Sequence, residues 1–145
     1  MNRMKRNKSI SQAGFTLIEI MVVVVIIGLL ATLILPNVLG RQDQALQIKA
    51  KADIKAIGGQ LALYKLDNFA YPSTSEGVQA LVSNPGGKSN WRGYLDKKPM
   101  DPWQNEYQYL QPGQKNPTRF DLWSYGSDGA PGGEGTAKDI GNWDD

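Results

Sequence analysis

Among its 145 residues the sequence has no cysteine and no histidine. Without cysteine there can be no disulfide, no thiolate nucleophile and no cysteine-ligated zinc. Without histidine, imidazole acid–base catalysis is excluded, together with the commonest transition-metal ligand. A large excess of one charge is also lacking, with 16 basic residues against 14 acidic ones. Their distribution is uneven. Arg3, Lys5, Arg6 and Lys8 stand within residues 1–14 with no acid beside them, leaving 12 basic and 14 acidic residues for the rest. So mildly acidic a body lacks the basic face that nucleic-acid phosphates require, and no nucleic acid is expected as a partner.

The chain does have one long apolar run. Phe15 to Leu35 contains a single charged residue, Glu19. As a helix this run would rise roughly 31 Å, enough to cross a hydrocarbon core of ~30 Å. The basic residues ahead of it would keep residues 1–14 in the cytoplasm and put the body outside. An ordinary secretory signal would have a shorter apolar core followed by a small-x-small cleavage site. Here Pro36-Asn37 and a polar helix follow instead. A plain single-span anchor fits the length but leaves Glu19 in hydrocarbon without compensation.

The string Gly14-Phe15-Thr16-Leu17-Ile18-Glu19 resembles the prepilin-type signal of type IV pilins and type II secretion pseudopilins. That resemblance implies cleavage between Gly14 and Phe15 by a membrane prepilin peptidase, N-methylation of the new Phe15 amine, and retention of the apolar helix. Glu19 would then lie one turn below the new terminus. In a filament it could pair with the Phe15 amine of a neighbouring subunit, a neutralisation that the resemblance implies for assembly. The plainer reading has Glu19 snorkelling to the membrane interface.

Pro36 disfavours helix at Leu35 and predicts a kink or local unwinding. Beyond it, residues 37–68 read as helix. Leu46, Ala50, Ile54, Ile57, Leu61 and Tyr64 recur at spacings of three and four, as an amphipathic stripe does. The stripe is short for a coiled-coil seam and has Gly58-Gly59 inside it, which favours packing on a sheet. In the turn-rich remainder, Tyr71–Glu76 offers an N-cap and Glu76–Val82 a short helix. Trp91–Leu95 could be a short extended piece. Glu106–Leu110 and Phe120–Tyr125 alternate as strands joined by the turn-forming Gln111–Pro117, which predicts a hairpin. A small antiparallel sheet on a helix is α+β, and one this small needs additional staples. Trp91, Trp103, Trp123 and Trp143 read as core and staple contacts rather than a base-stacking platform. Neither Gly58-Gly59 nor Gly132-Gly133-Glu134-Gly135 has the frame of a phosphate loop or a dinucleotide fingerprint.

Near the C-terminus, Asp128, Glu134 and Asp139 lie in a glycine-rich loop. Hard carboxylate oxygens mixed with turned-in carbonyls suit Ca²⁺. The spacing is not that of an EF-hand, and the residues alone fit a solvated surface loop at least as well. Asp101–Tyr107, Ser124–Gly129 and Asp139–Trp143 resemble hallmark segments of the type II secretion pseudopilins, in particular their major kind.

This second resemblance, which together with the first spans almost the whole chain, implies a pilin-like α+β fold with four segments. These are a removable cytoplasmic leader (1–14), a transmembrane and filament-core helix (15–36), an amphipathic continuation (37–68) and a periplasmic body (69–145). It also implies a structural Ca²⁺ in the C-terminal loop, with Asp128 and Asp139 as carboxylate ligands. The carbonyls of Tyr125 and Ala130 are further candidates, as is Glu134, because Lys138 stands where some members carry a second acid. The function implied is that of a non-enzymatic filament subunit helping to export folded proteins across the outer membrane. Its partners would be further copies of itself, minor pseudopilins, the inner membrane, prepilin peptidase, and an assembly platform with its ATPase. A type IV pilin of a surface fibre is the nearest alternative, although many of those carry a disulfide loop that this chain cannot form. A membrane-anchored periplasmic enzyme or solute-binding module would need a convergent titratable cluster.

Overall fold

The computed structural model describes residues 14–144, apart from the side chains of residues 34–39. The expected leader, except Gly14, therefore lies outside the described residues. Helix α1 runs from Leu17 to Asn68, and strands β1 (Gln108–Leu110), β2 (Asp121–Ser124) and β3 (Ile140–Gly141) follow it. The chain divides into two compact units, one ending at Leu39 and the other covering Gly40–Asp145.

In the first unit, every large apolar side chain from Phe15 to Leu33 is more than half exposed. A helix that is apolar on all sides needs lipid or other protein around it. Among the described residues, no helix is long and apolar enough to cross a membrane. Residues 17–33, where the side chains are described, would rise only roughly 26 Å against a ~30 Å core. The helix continues through Pro36, so the expected unwinding is absent. A proline deletes the one hydrogen bond that its own N–H would donate, and the turns on either side can hold the helix.

In the second unit, the expected stripe is the core. Ala50, Ile54, Ile57, Leu61 and Tyr64 are buried with Val78, Leu81, Tyr107, Phe120, Leu122 and Ile140. Gly58 and Gly59 each cost α1 roughly 0.5–1 kcal/mol relative to alanine, and the packing of this face offsets that. The outward side of α1 is also apolar. Ile48, Ala52, Ala56, Gly59, Leu63 and Leu66 are all exposed and recur every three or four residues, forming a second stripe.

The three strands form one antiparallel sheet in the order β1-β2-β3. Tyr109 pairs with Leu122, and Ser124 with Ile140. The expected hairpin is present but shorter at its start, where Glu106 makes only an isolated bridge to Met100. Strand β3 has no counterpart in the sequence reading, since two residues are too few to show alternation. The short helix at 76–82 is a 3-10 turn over Val78–Leu81. The expected extended piece at Trp91–Leu95 is not a strand. The Tyr94 and Leu95 N–H groups both donate to the Leu81 carbonyl, at 2.9 and 3.0 Å, and the Trp91 indole N–H donates to Ala80 O at 2.7 Å.

Buried carboxylates supply much of the stapling. Asp121, 2% exposed, accepts the backbone N–H groups of Gln114, Lys115 and Asn116 at 2.7–2.9 Å, and the Asn116 side-chain amide at 3.2 Å. The β1–β2 loop is thus wrapped around one carboxylate as a backbone nest. Gly113 has no side chain for a steric reason: a Cβ there would stand 2.5 Å from Asp121 Oδ1. Asn142 closes the other side, accepting from Leu122 N–H and donating to Phe120 O. The Tyr107 hydroxyl donates to Asp53 at 3.2 Å, and that of Tyr109 to Pro72 O at 2.8 Å.

Two predictions follow from these staples. Asp121→Ala leaves a row of N–H groups unpaired and should destabilise the body by about 3 kcal/mol or more in urea unfolding, with Asp121→Asn costing less. Burial pushes the Tyr107 and Tyr109 phenols well above their ordinary value of 10.0. The folded state therefore holds these protons more tightly, so their contribution is complete below about pH 10 and is lost as pH rises beyond it. Urea unfolding at stepped alkaline pH should show stability falling above pH 10, and Tyr107→Phe should make that fall shallower.

Candidate functional site

Two places carry the candidate residues. At the start of α1, the Thr16 N–H and hydroxyl donate to Glu19 Oε2 at 2.7 and 3.0 Å, and the Thr16 hydroxyl accepts the Glu19 N–H at 3.3 Å. The first turn is closed by Ile20 N–H to Thr16 O at 3.3 Å. This is a reciprocal capping box: N-cap threonine and N3 glutamate each satisfy a backbone donor that the helix leaves open. Thr-x-x-Glu before an apolar run was its signal in the sequence, and the role of Thr16 is the part that sequence reasoning missed. Glu19 is thereby fixed one turn from Phe15, with its carboxylate at the helix N-terminus, where negative charge is favoured. Phe15 is exposed, and Gly14 has open space where a Cβ would stand.

The second place is the C-terminal loop. Its base is a buried chain of hydrogen bonds. Asp101 Oδ1 accepts the Trp103 and Asn105 N–H groups at 3.0 and 2.7 Å, and its Oδ2 accepts the Ser124 hydroxyl at 2.5 Å. Ser124 Oγ then accepts Gly126 N–H at 3.0 Å. Gly126 opens a 3-10 turn, Gly126–Asp128, with φ at +74°. A Cβ on it would stand 2.8 Å from the carbonyl oxygens of both Thr136 and Lys138. The backbone of the second 3-10 turn, Gly135–Ala137, therefore lies directly against the first.

The expected ligands are brought to this loop unequally. Asp128 is exposed, and its Oδ1 accepts Ala130 N–H at 3.1 Å. Asp139 Oδ2 accepts Gly132 N–H at 3.0 Å, whereas its Oδ1 is buried with no hydrogen-bond partner. A buried carboxylate oxygen without a donor is costly, and a bound cation would relieve it. The Tyr125 carbonyl stands at the N-cap of the first 3-10 turn, and that of Ala130 accepts none of the turn and loop hydrogen bonds among the described residues. Carboxylates and backbone carbonyls are hard oxygen donors, the type that Ca²⁺ takes. Glu134 is the third acid expected in this loop. It is exposed, and among the described residues no group of three acidic side chains could hold a metal. Its carbonyl accepts Ala137 N–H at 3.1 Å, so this residue serves as the backbone cap of the second turn.

Residues 37–143 match the family described as Type II secretion system (T2SS), protein G, and residues 10–35 match the prokaryotic N-terminal methylation motif. The chain is 60% identical over 138 residues to the type II secretion system core protein G of Pseudomonas aeruginosa, a match covering 92% of this chain and 96% of the relative. It is 52% identical to the protein of the same name from Vibrio cholerae, covering 91% and 92% respectively. The fold is similar to the crystal structure of the major pseudopilin from the type 2 secretion system of enterohaemorrhagic Escherichia coli. That likeness has a TM-score of 0.61 and 42% identity, covering 74% of this chain and 95% of the solved one. The chain belongs to the type II secretion system protein G family.

Proposed function

We propose that this chain is the major structural subunit of a type II secretion pseudopilus, acting by assembly and not by catalysis. The observation that carries this reading is the continuous helix α1. It is apolar on all sides over residues 17–33 and keeps an outward apolar stripe from Ile48 to Leu66, while its other face holds the body. Surfaces of that kind need partners. One patch meeting a different patch on the next copy gives a helix that does not close, which is how a filament grows.

The precursor would insert with residues 1–14 in the cytoplasm and Phe15–Leu35 in the inner membrane, where the full run rises roughly 31 Å. The methylation-motif match over residues 10–35 supports processing between Gly14 and Phe15 and methylation of the Phe15 amine. Assembly would then draw subunits into a periplasmic pseudopilus, with minor pseudopilins, a membrane platform and an ATPase as partners. Glu19 would meet the Phe15 amine of a neighbour, so that two charges disfavoured in lipid neutralise each other. In the body, a structural Ca²⁺ would be held by Asp128 and Asp139 with the Tyr125 and Ala130 carbonyls. Its chemistry there is charge neutralisation and loop ordering. The unpartnered Asp139 Oδ1 supports this reading.

Two experiments test the proposal. Glu19→Ala should leave membrane insertion and cleavage intact, as seen by precursor and mature bands, while pseudopili and secretion are lost or strongly reduced; normal pseudopili would end the charge-pairing argument. Thermal unfolding of the full-length protein in detergent should shift upward by several degrees with Ca²⁺ relative to chelator. Asp128→Ala should remove most of that shift. Equal melting in both conditions would return the loop to a solvated surface feature.

A further inference from the structure

The C-terminal loop has one attachment that the expected ligands do not explain. The second 3-10 turn, Gly135–Ala137, has no buried residue, so apolar packing does not fix its position. It is reached from α1 by Gln47, whose side-chain amide donates to Gly135 O at 2.7 Å across 88 residues of sequence. From the first turn, the Ser127 hydroxyl donates to that of Thr136 at 3.2 Å. The same Gly135 carbonyl also accepts Lys138 N–H, at a longer 3.4 Å. Between α1 and the loop lies a cleft of about 340 Å³ lined by Gln47, Lys51, Gly135, Lys138, Asp139 and Asp144. Gln47 and Asp139 thus border the same space, one as anchor and the other as the residue with the unpartnered buried oxygen.

We propose that Gln47 is a positioning residue for the calcium loop, tethering its second turn to α1 so that Asp139 and the neighbouring carbonyls are pre-ordered for the ion. This rests on the calcium reading above. A loop ordered before binding loses less conformational freedom when the ion arrives, and affinity rises accordingly. The coupling is reciprocal: an ion that orders the loop also strengthens the loop's hold on α1 at Gln47. Metal occupancy would in this way be felt on the helix that assembles the filament. Lys51 and Lys138, the two cations lining the cleft, are spectators in this account, because the tether acts through a neutral amide.

The test uses the full-length protein in detergent, stripped with chelator and titrated calorimetrically with CaCl₂, as wild type, Gln47→Ala and Gln47→Glu. One lost hydrogen bond corresponds to about two- to tenfold weaker binding, and Gln47→Ala should show that loss while its melting temperature in chelator stays close to wild type. Gln47→Glu removes the donor but adds a negative charge. It should also bind more weakly if tethering matters, and more tightly if only local charge matters. Without metal, hydrogen exchange at the Lys138 amide should be faster in Gln47→Ala than in wild type. Wild-type affinity in Gln47→Ala, tighter binding by Gln47→Glu, or unchanged exchange would each overturn the tether while leaving the calcium site standing. A wild-type protein that takes up no Ca²⁺ would overturn both.

Discussion

The body depends on one face of one helix. Strands of three, four and two residues cannot hold a sheet together by their own pairing. What makes them a sheet is the row Ala50, Ile54, Ile57, Leu61 and Tyr64 on α1, against which Phe120, Leu122 and Ile140 are buried. Phe120 lies over Gly58, where a Cβ would stand at an ordinary 3.8 Å from its ring. The helix accordingly serves the body and the outward stripe at once, and its two apolar faces lie on opposite sides. A change on one face need not disturb the other, because side chains two positions apart on a helix point away from each other.

A core of this size leaves long loops to be ordered by other means, and the chain uses carboxylates. Asp121 gathers three consecutive N–H groups of the β1–β2 loop, and Asp101 fastens the turn that follows it while holding Ser124 beneath the C-terminal loop. Both are nearly inaccessible, at 2% and 1% exposure. Among the described residues, both are met by backbone N–H groups with one neutral side chain each, Asn116 on Asp121 and Ser124 on Asp101, and neither pairs with a lysine or arginine. Charge-assisted hydrogen bonds of this kind are roughly twice as strong as neutral ones. Asp139 breaks the pattern: one oxygen takes Gly132 N–H and the other takes nothing. Among the described residues no other buried carboxylate oxygen lacks a partner, so that exception supports the proposed ion more strongly than the acidity of the loop does.

Legibility in the sequence followed the range of each interaction. The core stripe and the two main strands were readable because period 3.6 and period 2 are local signals. The prepilin-type string was readable because all its positions are adjacent. The short helix near residues 76–82 was readable from its N-cap, though not its 3-10 winding over Val78–Leu81. The two-residue β3 and the irregular course of Trp91–Leu95 were not, since each is set by contacts from elsewhere in the chain, such as Leu81 O serving two amides at once. The same limit applied within the site. Asp128, Glu134 and Asp139 were equally readable as acids in a glycine-rich loop, and only the family resemblance singled out Asp128 and Asp139. The place of Glu134 as the backbone cap of the second turn needed the loop's actual path, and the tether from Gln47 joins residues whose separation no local pattern marks. The local unwinding expected at Pro36 is absent for a different reason: a single missing hydrogen bond weighs less than the cooperativity of a helix of 52 residues.

The capping box at Thr16 and Glu19 changes how that carboxylate should be understood. An uncompensated glutamate in hydrocarbon would be expected to seek water or a cation. Here Oε2 already takes two hydrogen bonds from Thr16, so part of its polar demand is met within one chain before any neighbour arrives. The capped helix also holds the carboxylate in a fixed place, one turn from the residue that the proposed cleavage would make the amino terminus. A charge held in place loses less freedom on pairing than one on a free side chain, which favours association between copies. In the proposed filament the box would therefore lower the cost of the carboxylate in lipid while leaving it oriented for the next amine, and Thr16 would act on assembly through Glu19.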